Sequence, residues 1–552
     1  MTARRPQPGR GALALAAISL LAAAVVPGGS AGGAPDGKRA KGERKRDRPP
    51  PNVVVVMTDD QTVESLRAMP KTERLLGAEG VTFTNSFAAN PACCPSRATF
   101  LTGRYAHNHG VLRNTRPNGG YAGFDGDEAL PVWLQRAGYF TAHVGRYLTG
   151  YGRHTDPLEI PPGWSEWHGA VDPSTYSMYG YTLNDEGALV TYGEAEVEDP
   201  ADYQTDVYAA KAADLIARRA PKRRPFFLSV APLAPHAEAD PEQPDEPLGP
   251  DNPRPAPRHA GAFDDEPQPR ADSFNEADVS DKPAEIRALE PLTLGEAAAL
   301  ADRYRARLAS LLAVDDLVET VVGELGATRE LNRTLIVFTS DNGYLLGEHR
   351  VRARKQYPYE ESIRVPLILR GPGLPRDAER RQPVVNADLA PTILHYARAK
   401  RRPGDGRSLH RLIDDRRLEP GRAVLVENWC QVTAPGFEPE TPRYLGVRTA
   451  RYLYAEWASR DAELYDLDRD PLELESRHAD PAYADERAAL GRLLDRLADC
   501  AGRSCRARPR LDLRLDYRRG ESDGRRCALS AVRARVRGAD RGEALEARFR
   551  LR

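Results

Sequence analysis

The sequence lacks net charge: across 552 residues, 79 Lys and Arg stand against 80 Asp and Glu. That balance removes the global basic field expected of a nucleic-acid binder or of a protein held on an acidic membrane. Beyond residue 26 the chain has no apolar run of about 18 residues, so no stable membrane insertion is expected of the mature protein. Cysteine is scarce, six in all, which excludes a disulfide scaffold. No internal repeat is apparent, and the composition, 41% hydrophobic and 29% charged, is that of a soluble globular protein.

What charge there is lies unevenly. Lys38–Arg48 is basic, Asp240–Glu290 is acidic and Pro-rich, and the tail after Cys500 is rich in Arg. Arg4, Arg5 and Arg10 precede the apolar stretch Gly11–Val26, and small residues follow. This reads as a secretory signal over residues 1–34, with cleavage after Ala31 or Ala34; an uncleaved anchor is the alternative. An exported, extracellular or cell-envelope protein follows. Among the cysteines, Cys500 and Cys505 are spaced to close a small loop, and Cys430 and Cys527 are a second candidate pair.

Asn52–Asp60 (NVVVVMTDD) is a β-branched run ending in two acids. A continuous apolar run of that length suits a central parallel strand buried on both faces. Its acids then sit at the carboxyl end, where α/β sheets place ligands. Pro225–His236 and Thr334–Gly343 repeat the pattern, ending in Pro-His and Ser-Asp-Asn-Gly, and Val365–Arg370 is a further short strand. Helical patterns at Ala129–Ala137, Asp202–Arg219 and Leu294–Leu325 alternate with them. The expected fold is α/β, a large mostly parallel sheet flanked by helices. Pro241–Pro291 lacks periodicity and reads as a long surface excursion. From Ala423 the strands shorten and alternate, predicting a smaller antiparallel subdomain over 423–500 with a helix at Tyr483–Ala498, then an Arg-rich β appendage over 501–552. A basic linker (35–51) and a main domain (52–422) complete the division.

The decisive segment is Cys93-Cys94-Pro95-Ser96-Arg97, continued as Ala98-Thr99-Phe100-Leu101-Thr102-Gly103-Arg104. It resembles the motif of the sulfatases, Cys-x-Pro-Ser-Arg followed by Leu-Thr-Gly-Arg. The resemblance implies an alkaline-phosphatase-like fold and oxidation of Cys93 to formylglycine by a formylglycine-generating enzyme acting on the nascent chain; Cys94 holds the variable position. A hydrated aldehyde carries two hydroxyls on one carbon. One can attack sulfur, and the other can then re-form the carbonyl and expel sulfate, dividing a hard step into two.

The same resemblance implies a metal site of Asp59, Asp60, Asp341 and Asn342 with the side chain of residue 93. Such an oxygen set suits Ca²⁺, with Mg²⁺ possible. Arg97 is implied to bridge the formylglycine and organise the metal. Where the family usually has Gly-Lys, this chain reads Gly145-Arg146-Tyr147-Leu148, so Arg146 takes the Lys place and Leu148 stands where a His often lies. Arg keeps the charge in a larger fork. His236, in Ala234-Pro235-His236, matches the His facing the leaving-group oxygen, and Lys355, before Tyr359–Pro366, matches a sulfate-contacting Lys. His107, His109, His143, His154 and His349 are left unassigned. Ser273–Glu276, Asp281–Pro283 and Gly145–Leu148 resemble the branch containing N-acetylglucosamine-6-sulfatases, which implies a sulfated sugar as substrate. Two alternatives stand beside this reading: a phosphonate monoester or phosphodiester hydrolase of the same superfamily, and an exported glycan-binding protein with a degenerate site.

Overall fold

The computed structural model describes residues 49–116, 118–153, 155–238, 252–418, 421–429 and 443–506, and the backbone of 516–517 and 532–533. The predicted signal, Lys38–Arg48, His154, Cys430, Cys527 and most of the Arg-rich tail lie outside these residues.

Along the chain the strands are β1 (Asn52–Thr58), β2 (Val81–Phe83), β3 (Ser86–Phe87), β4 (Phe140–Gly145), β5 (Glu166–Ala170), β6 (Tyr181–Asp185), β7 (Ala188–Tyr192) and β8 (Phe226–Ala231). They continue with β9 (Thr334–Ser340), β10 (Leu367–Arg370), β11 (Ala378–Arg380), β12 (Val384–Val385), β13 (Ala423–Asn428), β14 (Tyr444–Thr449), β15 (Tyr452–Trp457) and β16 (Ala462–Asp466). Ten of them form one sheet in the order β11-β2-β10-β9-β1-β8-β4-β5-β6-β7. Its centre, β9-β1-β8-β4-β5, is parallel, while β10 and β6 run antiparallel to their neighbours.

Strand β1 shows why the sequence requires this arrangement. All seven of its residues are buried. Val54 and Val56 face Ala212, Leu215, Leu311 and Val314 of the helices Gln204–Arg219 and Leu294–Ala327. Val53 and Val55 face the opposite layer, with Phe100, Trp133 and Ile393 from the helices Cys93–Thr102, Leu130–Arg136 and Leu389–Tyr396. Each buried Val contributes about 1.5–3 kcal/mol, and only a strand covered on both sides uses four in succession. The long helix starts sharply because the Thr293 hydroxyl accepts from Glu296 N–H while the Glu296 carboxylate accepts from Thr293 N–H, a reciprocal cap.

A second sheet, β13-β14-β15-β16, is antiparallel throughout. The helix Ala484–Ala498 lays Leu490, Leu493, Leu494 and Leu497 into a core that also holds Phe87, Tyr359 and Ile363. Cys500 and Cys505 form the expected disulfide, and Cys93 and Cys94 are free thiols.

One expectation fails in part. Within the described portion of the Pro241–Pro291 segment, Ala256, Gln268, Ser273, Glu276, Lys282 and Ile286 are buried. Aperiodic chain is anchored here by individual polar bonds: Asn275 N–H donates to Gly347 O at 2.8 Å and Gln268 Nε2 to Leu346 O at 2.6 Å. Bonds of that kind leave no periodic signature in a sequence.

Candidate active site

Four neighbouring parallel strands end at one place. Thr58 of β1 pairs with Ser340 of β9, so Asp59 and Asp341 leave the sheet at the same level. On the other side, Gly145 of β4 pairs with Ala231 of β8, and Arg146 N–H donates to Ala231 O at 2.9 Å. His236 follows β8 by five residues. Successive strand residues point to opposite faces, yet Asp59 and Asp60 both reach the site because Asp60 adopts a left-handed conformation, φ 65°. Aspartate tolerates that region better than most residues.

Cys93 enters from below as the first residue of the helix Cys93–Thr102, whose ten residues are all buried. The helix ends on Gly103 at φ 66°, a left-handed cap that glycine adopts without strain. Its N-terminal end, the positive end of the peptide dipoles, lies at residue 93 and favours an anion there.

The side chains interlock around Cys93 Sγ, which lies 2.9 Å from Lys355 Nζ and 3.5 Å from Asp59 Oδ1. Lys355 also donates to Asp60 Oδ1. Arg97 spans two acids, with Nε 2.8 Å from Asp341 Oδ2 and Nη2 2.8 Å from Asp59 Oδ2. Arg146 pairs with Asp59 through Nη1 and donates from Nη2 to the Tyr176 hydroxyl at 2.8 Å, its guanidinium lying over the Tyr176 ring. Asn342 Nδ2 donates to Asp60 Oδ1 at 2.6 Å, and His236 Nε2 lies 3.7 Å from Asp60 Oδ2. The structure thus brings together every residue predicted for the site: Asp59, Asp60, Cys93, Arg97, Arg146, His236, Asp341, Asn342 and Lys355.

Burial governs the protonation states. It pushes the Cys93 thiol well up and the Cys94 thiol to about 12, so neither is a thiolate at neutral pH. Burial, with Lys355 and Arg146 beside it, holds His236 far below its ordinary value and therefore neutral. Burial alone would lower Lys355, but the nearby carboxylates of Asp60 and Asp341 outweigh it and keep the ammonium charged.

Two buried atoms of this cluster have no hydrogen-bond partner: the acceptor Asn342 Oδ1 and the donor Arg146 Nε. A buried polar group left unpaired costs about 1–3 kcal/mol. The residues fit a hard divalent cation, since Asp59, Asp60, Asp341 and Asn342 Oδ1 offer only oxygen. Beside them opens a cavity of about 230 Å³, lined in part by Asn114, Tyr121, Thr149, Arg153 and Asp172. Asn114 Oδ1 accepts from Cys94 N–H at 2.9 Å, which ties the cavity wall to the helix bearing Cys93.

Of the histidines left unassigned above, the four that the structure describes have other partners. His107 bonds Glu427 at 2.8 Å, and that carboxylate raises it to about 9 against the effect of burial. His109 contacts Thr99, and His143 stacks on Trp167; burial lowers both to about 3. His349 bonds Glu276. The sequence reading missed Arg307, whose Nη1 donates to Pro235 O at 3.0 Å and whose Nη2 donates to Asp60 O. Its one signal was an Arg on the apolar stripe of a long helix.

Comparison with known proteins gives the same answer as the geometry. Residues 51–399 match the sulfatase family and residues 347–499 match the family described as N-sulphoglucosamine sulphohydrolase, C-terminal. The human N-acetylglucosamine-6-sulfatase is 33% identical over 494 residues, covering 82% of this chain and 85% of the relative. A putative extracellular sulfatase Sulf-1 homolog of Caenorhabditis elegans is 35% identical over 381 residues, and there the match spans 68% of this chain and only half of the relative. Among solved structures, a protein in complex with its substrate D-glucosamine-2-N,6-O-disulfate superposes with a TM-score of 0.66 at 24% identity, covering 81% of this chain and 97% of that one. The phosphonate monoester hydrolase of Agrobacterium radiobacter superposes with a TM-score of 0.60 at 23% identity, covering 81% and 95%. Identities this low establish a shared fold, whereas the family match covers well over half the chain. With its Cys93 motif seated among four strand-end oxygen donors, this chain belongs to the sulfatase family.

Proposed function

We propose that the protein is an exported sulfatase that hydrolyses sulfate monoesters of a carbohydrate, with residue 93 acting as formylglycine and a Ca²⁺-type cation held by Asp59, Asp60, Asp341 and Asn342. The observation that carries this reading is the placement of Cys93 Sγ against Lys355 and Asp59, within a cluster that has one orphan acceptor and one orphan donor. A bound divalent cation supplies Lewis-acid charge that favours the ionised nucleophile and neutralises sulfate oxygens.

Formal charge supports the assignment. Asp59, Asp60 and Asp341 carry three negative charges, and Arg97, Arg146 and Lys355 carry three positive ones. A divalent ion then leaves two positive charges, which one sulfate monoester anion and one ionised hydroxyl on residue 93 neutralise. In a buried site a matched charge count favours the reacting state over solvent.

The chain's own residues divide the work. Lys355 steadies the attacking oxygen and a sulfate oxygen, and the unpaired Nε of Arg146 donates to a second sulfate oxygen. Arg97 holds Asp59 and Asp341 in register. His236 is neutral in the free protein, and an incoming anion raises its proton affinity, so it serves the leaving alcohol as an acid once substrate is bound. The sugar lies toward the cavity lined by Tyr121, Thr149 and Asp172, whose polar groups suit hydroxyls.

Relatives matching most of the chain are named as sulfatases acting on N-acetylglucosamine 6-sulfates, and others as extracellular sulfatases. Substrate class and export are carried over from them as parts of this proposal. No helix among the described residues is long and apolar enough to cross a membrane. The phosphonate hydrolase structures share the fold at 21–23% identity, whereas the relatives at 33–35% identity are named as sulfatases, so the sulfate ester is the better-supported substrate. The test is mass spectrometry of the peptide containing Cys93 after expression with the maturation enzyme, together with turnover of 6-sulfated and other sulfated glucosamines. Conversion removes roughly 18 Da. An unconverted thiol in protein that still turns over sulfate esters would overturn the proposal.

A further inference from the structure

A second cluster of ligating groups lies outside the Cys93 site. A ring nitrogen of His349 and one carboxylate oxygen each from Glu361 and Glu473 lie within 4.8 Å of one another. His349 is fully buried and Glu473 is 1% exposed. His349 Nδ1 lies 2.6 Å from Glu276 Oε2. A carboxylate only accepts, so Nδ1 carries the proton and Nε2 presents its lone pair. Nε2 has no hydrogen-bond partner, and neither have Glu361 Oε2 and Glu473 Oε1. Three acceptor atoms therefore converge on one buried point with no N–H between them, and burial raises both carboxyls, Glu361 to about 8 and Glu473 well above its ordinary value. That arrangement repels itself unless a positive charge sits there.

The surroundings are built to hold such a charge. Glu276 fixes the tautomer and the direction of the imidazole, as a carboxylate behind a metal-bound His does. Lys282 Nζ lies 3.1 Å from the other oxygen of Glu276 and fixes that carboxylate in turn. Glu473 Oε2 accepts from Glu360 N–H at 3.0 Å, which leaves Oε1 turned to the cluster. The His349 ring is wedged 4.1 Å from that of Tyr359, so it does not swing away. The neighbouring cations are spent elsewhere: Arg448 and Arg364 both pair with Glu360.

We infer that His349, Glu361 and Glu473 form a second, structural cation site for a borderline divalent ion of the Zn²⁺ type. One imidazole with two carboxylates is a ligand set for such an ion, whereas the all-oxygen set at Asp59 and Asp341 is one for a hard ion. Ligands about 2.0–2.2 Å from one centre draw the three atoms together by a small rotation of the two Glu side chains. The ion joins the turn Glu360–Ile363, the segment before Lys355 and the stretch after β16. It thereby fastens the loop that presents Lys355 to the antiparallel sheet. The inference is independent of the chemistry proposed at residue 93.

The test uses the full chain, stripped with a chelator, reloaded with Zn²⁺ in the presence of excess Ca²⁺, dialysed and analysed for metal. The expected result is one tightly held Zn²⁺ per chain and a rise in Tm of several degrees on reloading. Asp341→Asn should keep both. His349→Gln and Glu473→Gln should lose both. Should either of these fail to fold, Glu361→Gln at the less buried edge of the cluster gives the same reading. Failure to retain Zn²⁺ in the wild-type chain, or equal retention in the cluster variants, overturns the inference and leaves protons as the shared charge.

Discussion

At the scale of single residues, position 93 separates chemistry from stability. Its thiol touches only site groups, so Cys93→Ala should abolish sulfate ester turnover while shifting Tm by no more than a degree or two; loss of cooperative unfolding would instead assign Cys93 to the core. Arg146 is the more informative position. One arm of its fork pairs with Asp59 and the other reaches Tyr176. Lysine keeps the charge and gives up the second arm. Losing one charge-assisted bond costs about 1.5–3 kcal/mol, most of it felt in binding geometry and not in charge. Arg146→Lys should therefore keep substantial turnover, reduced by about tenfold, whereas Arg146→Ala should lose more than a hundredfold; kcat and KM on an aryl sulfate read both. Equal loss in the two variants would show that the fork, and not the charge, is what the site uses.

At the scale of elements, the central strands were legible because their signal is local. A four-valine run ending in two acids announces a buried parallel strand and its functional end together, and the Cys93 segment is a contiguous pattern. Helix limits were read to within about two residues at Leu294–Ala327 and Gln204–Arg219. What was not legible rests on contacts between distant residues. The polar anchoring of 268–289, the left-handed Asp60 and the reach of Arg307 across the sheet have no short-range pattern. Arg307 is a clear case: one buried side chain of the long helix holds the carbonyl ends of two strand termini, Asp60 and Pro235. Arg307→Met should destabilise the protein by about 2–4 kcal/mol, since two backbone carbonyls lose their donor. It should also weaken Ca²⁺ binding by releasing Asp60. Denaturant unfolding and Ca²⁺ titration check the two effects; unchanged Ca²⁺ affinity would confine Arg307 to packing.

At the scale of the whole molecule, the antiparallel sheet carries a pH dependence of its own. Glu463 is buried beneath Tyr359, Trp457 and Tyr465, and burial raises its carboxyl from near 4.5 to about 7 although the three side chains donate to it. The folded state then holds a proton that the unfolded state has released between those values. Stability from this group is present below about pH 4.5 and lost as pH rises through about 7, a change on the order of 3 kcal/mol. Glu463→Gln should match the wild type near pH 4.5 and exceed it above pH 7, as unfolding midpoints across that range will show. The Cys500–Cys505 bridge should matter less, because a loop this short contributes about 2 kcal/mol; a double Ser variant should keep full turnover. The burial of Cys93, 1% exposed, has a consequence in time. On the proposed chemistry, conversion and folding race for one side chain, and the winner is irreversible. A chain that closes its sheet first becomes native in shape and inert for good, so protein refolded from unconverted material should be well formed and dead.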